Sequence, residues 1–138
     1  MQMTPDKKKN KLYIVVPCYN EEQVLGETSK RLKIKCENLI QKGQISKDSK
    51  IVFVDDGSKD RTWKMISELH ETDSLFSGVK LSRNRGHQNA LLAGLTMASE
   101  HADMAISMDA DLQDDINAVD QMIEKYYEGC DIVYGVRS

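Results

Sequence analysis

The chain has 138 residues, of which 40% are apolar and 30% are charged, with a formal net charge of −3. This balance is typical of one soluble globular domain or a part of one. It argues against a general nucleic-acid binder, because neutralising phosphates requires a basic surface. The longest apolar runs are far shorter than the roughly 20 residues that span a bilayer, so the sequence predicts no transmembrane helix.

Residues 1–11 are polar and rich in lysine. They show no periodicity, and no apolar segment of the length found in signal peptides follows them. We therefore predict a disordered lead-in and a cytoplasmic protein. The three cysteines, Cys18, Cys36 and Cys130, are odd in number and contain no C-x-x-C pair, which favours buried free thiols over disulfides or a zinc site.

Short apolar runs alternate with amphipathic segments along the rest of the chain. The predicted elements are a strand at 12–16, a helix at 21–42, a strand at 51–54, a helix at 62–70, a strand at 78–82, a helix at 88–99, a strand at 104–108, a helix at 116–127 and a strand at 132–134. Pro17 is predicted to end the first strand, and Gly43 the first helix. Such regular alternation predicts an α/β domain whose mostly parallel sheet has helices on both faces.

The end of the chain is also informative. No helix follows the last predicted strand, although a parallel sheet is normally covered on both faces. We therefore expect this chain to be a truncated part of a larger domain.

Polar residues concentrate directly after four of the predicted strands, at 17–22, 55–60, 82–87 and 109–114. The carboxyl ends of parallel strands meet at one edge of a sheet, where open α/β domains bind their ligands. The sequence therefore predicts one site built from four loops.

The sharpest pair in these loops is Asp109 and Asp111. If the chain is still extended there, their side chains point to the same side and form an oxygen-rich half-shell suited to Mg²⁺ or Mn²⁺. Gln113 would supply a further oxygen at the next alternate position. Capping of the following helix by one of the acids explains a lone D-x-D pattern equally well.

Two adjacent acids, Asp55 and Asp56, end the second predicted strand and precede Gly57 and Ser58. A tight turn followed by a helix cap explains the glycine and the serine without any function. It explains two acids at a buried strand end less well. A ligand with N–H or hydroxyl donors, such as a base or a ribose, would satisfy them.

Tyr19 and Arg83 each allow two interpretations. An exposed Tyr19 ring at a strand end would stack on a base, whereas core packing is slightly favoured by residue type alone. Arg83 and Arg85 stand just before a predicted helix, where a phosphate would be favoured. A solvated loop explains the two arginines equally well.

Five stretches in register resemble family 2 glycosyltransferases of the GT-A fold, particularly dolichol-phosphate mannose synthases and bacterial polyprenyl-phosphate (bactoprenol) sugar transferases. The stretches are VVPCYNEE (15–22), VDDGSKDRT (54–62), SRNRGHQNALLAGL (82–95), MDADLQD (108–114) and GCDIVYGVR (129–137). The resemblance implies a Rossmann-like sheet and a donor site. One departure is the stretch 114–116, DDI, where the family often has a proline.

The resemblance also implies roles for individual residues. Pro17, Tyr19 and Glu21 would line the nucleotide pocket. Val54, Asp55 and Asp56 would lie at the base and ribose, and Arg83 would contact a phosphate. The set Asp109, Ala110 and Asp111 would be the family's D-x-D signature, which holds the donor diphosphate through Mg²⁺ or Mn²⁺, with Gln113 as a further ligand.

By the same resemblance, residues 12–138 would form the nucleotide-sugar-binding part of an inverting transferase. Its donor would be a UDP- or GDP-linked sugar, and its acceptor a polyprenyl phosphate or a glycan. The acceptor half and any membrane helices would lie past Ser138, so this part alone would be inactive. The resemblance is also compatible with a homo-oligomer. The alternative is a sugar-nucleotide-binding module without activity. A phosphatase is disfavoured because its D-x-D pattern would follow the first strand, whereas here the pattern follows the fourth. A receiver domain is disfavoured because no lysine stands at the end of the fourth or fifth predicted strand.

Overall fold

The computed structural model describes residues 10–111 and 116–127. These residues form strands and helices in strict alternation: β1 (Leu12–Cys18), α1 (Leu25–Gln41), β2 (Lys50–Asp55), α2 (Thr62–Thr72), β3 (Phe76–Lys80), α3 (His87–His101), β4 (Met104–Ser107) and α4 (Ala118–Tyr127). The predicted strand at 132–134 lies outside the described residues. The predicted order of the other elements is confirmed.

The four strands form a parallel sheet in the order β3-β2-β1-β4. The chain steps outward from β1 to β2 and β3, and then returns to place β4 on the other side of β1. The strand order therefore reverses between β1 and β4. In open α/β sheets a crevice forms at such a reversal, outside the carboxyl ends of the strands, and ligands bind there.

Pro17 lies inside β1, so the prediction that it ends this strand is wrong. The pairing of β1 with β2 continues through Pro17 opposite Val54, whereas the pairing with β4 stops at Val15 opposite Ser107. Proline lacks an N–H donor, and it is tolerated where the ladder on one side has already ended. The strand consequently carries its polar loop two residues further than predicted.

Helices cover both faces of the sheet, as predicted. Alternate residues of β1, such as Leu12 and Ile14, lie in a core cluster with α1, α2 and α4. On the other face, Val15 and Val54 pack against α3. This approach is close, because a Cβ added to Gly94 of α3 would lie 2.4 Å from Val15 Cγ1.

Two predicted boundaries move for local reasons. Strand β3 begins at Phe76 rather than at residue 78, because Phe76 pairs with Ile51 and stacks on Phe53 at a centroid distance of 6.0 Å. Lys11, assigned to the lead-in, is held at the sheet by a 2.8 Å hydrogen bond from its N–H to Asp103 Oδ2.

Candidate functional site

A cavity of about 600 Å³ lies where the strand order reverses. Its lining comes from the carboxyl end of β1, from the loops after all four strands and from the first turn of α3: Pro17, Cys18, Tyr19, Glu21, Asp56, Asn84, Gly86, His87, Gln88, Ala90, Asp109, Ala110 and Asp111. The four polar stretches predicted from the sequence are thus brought together at one edge of the sheet. The size is in the range of small-molecule pockets, which run from about 300 to 1,000 Å³.

The loop after β1 is held by side chains of the loop after β2. The N–H of Asn20 donates to Ser58 Oγ at 2.9 Å, and the N–H of Glu21 donates to Thr62 Oγ1 at 2.9 Å. Asn20 also has a positive φ of 52°, a conformation that asparagine tolerates better than most residues. These contacts delay the start of α1 to Leu25 instead of the predicted residue 21. They also fix Tyr19 and Glu21 at the cavity.

Tyr19 is 41% exposed and lines the cavity. The interpretation that its ring is packed in the core is therefore wrong. Tyr19 directly follows the end of β1, and part of its side chain is accessible from the cavity.

Asp56 joins the loop after β2 to the loop after β3. Its Oδ1 accepts a 2.6 Å hydrogen bond from the N–H of Arg85, and its Oδ2 accepts a 3.1 Å bond from the N–H of Gly86. The two loops pack backbone against backbone, because a Cβ on Gly57 would lie 2.4 Å from Asn84 N. Gly57 also has a φ of +73°, so both the close backbone contact and the positive φ require a glycine at this turn.

Asp55 is fully buried beneath this turn. One of its oxygens accepts a 3.2 Å hydrogen bond from the N–H of Ser58. The other oxygen accepts no hydrogen bond from the described residues. A buried acceptor without a donor is costly, so this oxygen is suited to a donor that arrives with a ligand or with water.

Asp109 and Asp111 both line the cavity, the first half-buried and the second exposed. Helix α4 begins only at Ala118, so neither acid is its N-cap residue. Glu21 lies close enough to both acids to be affected by their charge. Burial raises the pKa of Glu21, and the charges of Asp111 and, to a smaller extent, Asp109 raise it further. The cavity therefore concentrates negative charge.

The donor set at this cavity suits a hard divalent cation. Mg²⁺ is usually held by one or two carboxylates together with substrate phosphates and water, rather than by a complete cage of protein ligands. In the part of the chain that the structure describes, no group of three or more His, Cys, Asp or Glu residues is arranged to hold a metal ion. Asp109 and Asp111, with Glu21 beside them, fit a cation that is held by one or two carboxylates together with substrate phosphates and water. Gln113, predicted as a further ligand, lies outside the described residues.

Three predicted site residues do not line the cavity, and one of them is the fully buried Asp55. Val54 is fully buried against α3, and its side chain belongs to the hydrophobic core. Arg83 is exposed and lies outside the cavity lining. The sequence reasoning also missed Asn84, His87 and Gln88, which line it. All three belong to the conspicuous polar stretch after β3, in which the arginines drew attention by their charge.

Cys18 and Cys36 are buried free thiols, as predicted, and Cys130 lies outside the described residues. Burial raises the pKa of Cys36 to about 12, and the charge of Glu37 adds to the effect. Burial also raises the pKa of Cys18, followed by the charges of Glu21 and Asp55. Cys18 lines the cavity, but its thiol stays protonated near neutral pH and is a poor nucleophile.

Within residues 10–111 and 116–127, every helix is too short or too polar to cross a lipid bilayer.

The sequence and the fold of this chain are similar to those of known proteins. The model of "Glycosyl transferase family 2" matches residues 13–138. The chain belongs to family 2 of the glycosyltransferases. The suspected family is thereby confirmed over nearly the whole sequence.

Curated relatives of this family 2 chain include the "Uncharacterized glycosyltransferase YkoT" of Bacillus subtilis (strain 168). It is 55% identical over 126 residues, which are 91% of this chain and 37% of the relative. The "Undecaprenyl-phosphate 4-deoxy-4-formamido-L-arabinose transferase" of Enterobacter sp. (strain 638) is 36% identical over 136 residues, 98% of this chain and 39% of the relative. This chain thus spans less than two-fifths of the length of these relatives.

A solved mannosyltransferase, PcManGT from Pyrobaculum calidifontis in complex with GDP-Man and Mn²⁺, has a similar fold. The TM-score is 0.60 at 24% identity, covering 78% of this chain and 30% of that one. The likeness is one of fold, and it confirms the predicted Rossmann-like GT-A arrangement.

Proposed function

We propose that this family 2 chain is the donor-binding part of an enzyme that transfers a sugar from a UDP- or GDP-linked donor. The observation that carries the proposal is the cavity at the strand reversal, which combines an exposed tyrosine with the pair Asp109 and Asp111. A nucleoside diphosphate sugar has a flat base at one end and an anionic diphosphate in the middle. The cavity offers a partner for each.

At the nucleoside end, Tyr19 stacks on the base, in the way exposed aromatic rings bind bases elsewhere. The buried oxygen of Asp55 accepts a hydrogen bond from the base or ribose once the ligand is bound. Asp56 acts mainly through the backbone, because both of its oxygens already accept hydrogen bonds from N–H groups of the neighbouring loop.

At the diphosphate end, Asp109 and Asp111 are the residues that would hold a Mg²⁺ or Mn²⁺ ion. When bound, the ion neutralises the charge that develops on the departing diphosphate. Glu21 lines the cavity on the same side and offers a further carboxyl group there. His87 and Gln88 lie in the first turn of α3, where backbone N–H groups favour an anion.

The acceptor is a polyprenyl phosphate, and the transfer inverts the anomeric centre because the acceptor attacks from the face opposite the diphosphate. Support for this acceptor comes from the Enterobacter relative, whose name gives undecaprenyl phosphate. A lipid phosphate already carries its negative charge, so attack by it does not require a general base, as attack by an alcohol does.

Because this chain spans less than two-fifths of its curated relatives, we expect it to bind donor without turning it over. A sugar-nucleotide-binding module would behave in the same way. The two functions separate when the chain is extended to the length of its relatives, because only a transferase then releases UDP or GDP in the presence of polyprenyl phosphate.

Calorimetry with UDP, GDP and their sugars, with and without Mn²⁺, tests the donor site. We expect binding to one nucleotide series to tighten with Mn²⁺, and Asp111→Asn to remove that gain. A matched control is Glu100→Gln, an exposed acid at the far end of α3, roughly 20 Å along the helix from the cavity. An intact Mn²⁺ effect in Asp111→Asn would refute the proposed metal site.

A further inference from the structure

We infer that Thr28 is a positioning residue that fixes the direction of the acid pair, an inference that rests on the proposed function of Asp109 and Asp111. Thr28 lies in the first turn of α1 and is 2% exposed. Its hydroxyl donates a hydrogen bond to the carbonyl oxygen of Ala110, the residue between the two acids. This hydrogen bond joins helix α1 to the loop after β4, across 82 positions of the sequence.

The stretch that carries the acids is held at three points. The N–H of Met108 donates to the carbonyl oxygen of Val15 at 3.0 Å, which continues the sheet pairing one residue past β4. The side chain of Ala110 is 3% exposed and lies in the core cluster with α1. The hydroxyl of Thr28 then fixes the carbonyl of the same residue, and hence the orientation of the peptide unit that leads into Asp111.

The neighbouring residue Ser29 shows that a buried hydroxyl in this part of α1 can instead form a hydrogen bond within the helix. Ser29 is also buried, at 4% exposure, but its hydroxyl donates within α1 to the carbonyl of Gly26 at 2.9 Å. Serine and threonine in helices commonly make such local bonds. Thr28 instead donates across to the loop, where it satisfies a carbonyl next to the core.

This contact bears on cation binding because Glu21 lies just ahead of the same helix. The carbonyl oxygen of Glu21 accepts a 2.9 Å hydrogen bond from the N–H of Leu25, the first residue of α1, and Glu21 lines the cavity together with both acids. Thr28 therefore sets the position of the acid pair relative to Glu21. Groups that orient metal ligands without touching the metal typically change metal affinity by about 10- to 100-fold when they are removed.

The test compares Thr28→Val, which keeps the shape and removes the hydroxyl, with Thr28→Ser, which keeps the hydroxyl, and with the control Ser29→Ala. Calorimetry on the 138-residue chain measures the affinity for Mn²⁺ in the presence of UDP or GDP, and the affinity for the nucleotide alone. We expect Thr28→Val to weaken Mn²⁺ binding about tenfold and to leave metal-free nucleotide binding unchanged. Thr28→Ser and Ser29→Ala should bind Mn²⁺ as the original chain does.

Three results are decisive. Unchanged Mn²⁺ affinity in Thr28→Val would overturn the inference and leave the proposed function intact, and an equal loss in Ser29→Ala would reduce the effect to general destabilisation and overturn it too. If Thr28→Val does not fold, Thr28→Ala replaces it with the same expectation, because it only removes atoms. If the original chain shows no Mn²⁺-dependent nucleotide binding, the proposed function fails, and the inference fails with it.

Discussion

The carboxylates at the cavity have different partners, and these partners separate their roles. Both oxygens of Asp56 accept hydrogen bonds from backbone N–H groups, whereas one oxygen of Asp55 is buried without a donor among the described residues. Asp109 and Asp111 line the cavity beside Glu21, and Asp56 also lines it, whereas Asp55 does not. These four acids look alike in the sequence but have different roles in our proposal. Asp56 is structural, Asp55 faces the base or ribose, and Asp109 and Asp111 face the diphosphate.

Replacing Asp56 tests its structural role. Asp56→Ala removes two charge-assisted hydrogen bonds to Arg85 and Gly86, and we expect it to lower the free energy of unfolding by about 3 kcal/mol. The exposed Asp48 provides the control, since Asp48→Ala should change stability by less than about 0.5 kcal/mol. Urea denaturation measures both. Equal effects of the two substitutions would contradict the role of Asp56.

The pH dependence of stability tests the crowding of charge around Glu21. Its pKa in the folded chain is raised above the ordinary value of 4.5, by burial first and then by Asp111. The stabilisation from a protonated Glu21 is therefore fully present below the ordinary pKa and is lost as the pH rises through the folded pKa. Because a glutamine side chain does not ionise, Glu21→Gln should gain stability relative to the original chain as the pH rises from about 4 to about 7. Parallel urea-denaturation profiles over this range would count against the acidic cluster.

At the scale of the elements, α3 covers one face of the sheet and brings its first turn to the cavity. Gly94 permits this position, because a Cβ there would lie 2.4 Å from Val15 Cγ1 and 2.8 Å from Val54 Cγ2. The helix cannot move away from the sheet without also moving His87 and Gln88.

Two glycine-to-alanine substitutions are expected to have opposite effects. Gly94→Ala overpacks the contact with Val15 and should destabilise the chain by about 1–3 kcal/mol. Gly26 lies in α1 with no atom within 4 Å of an added Cβ, so Gly26→Ala should stabilise by about 0.5–1 kcal/mol. Thermal and urea denaturation measure the difference. A stabilising Gly94→Ala would mean that α3 is not packed as described.

Much of this arrangement could be predicted from the sequence, because the alternation of apolar runs and amphipathic segments fixes the order of the elements. The D-x-D pattern and the polar stretches also located the cavity edge. Pro17 was misjudged, because whether a proline ends a strand depends on where the neighbouring strand stops. Thr28 could not be found from the sequence, because its partner lies 82 positions away and is a backbone carbonyl.

Considered over the whole fold, acidic residues line the cavity at the strand reversal and also a second cavity at the opposite end of the sheet. At the amino ends of the strands, Glu37, Asp48 and Asp73 line a second, smaller cavity of about 190 Å³. Lysines are interleaved with these acids, and Asp73 forms an ion pair with Lys33 at 2.7 Å. The first cavity has no Lys or Arg in its described lining, which is why we assign the cation to it.

Paramagnetic broadening by Mn²⁺ tests this assignment most directly. Backbone amide NMR spectra of the chain are recorded with UDP or GDP and substoichiometric Mn²⁺, and with Mg²⁺ as the diamagnetic reference. We predict that signals of residues 19–21 and 109–111 disappear, while those of Asp48 and Asp73 persist. Selective loss of the Asp48 and Asp73 signals, with residues 109–111 unaffected, would contradict the account.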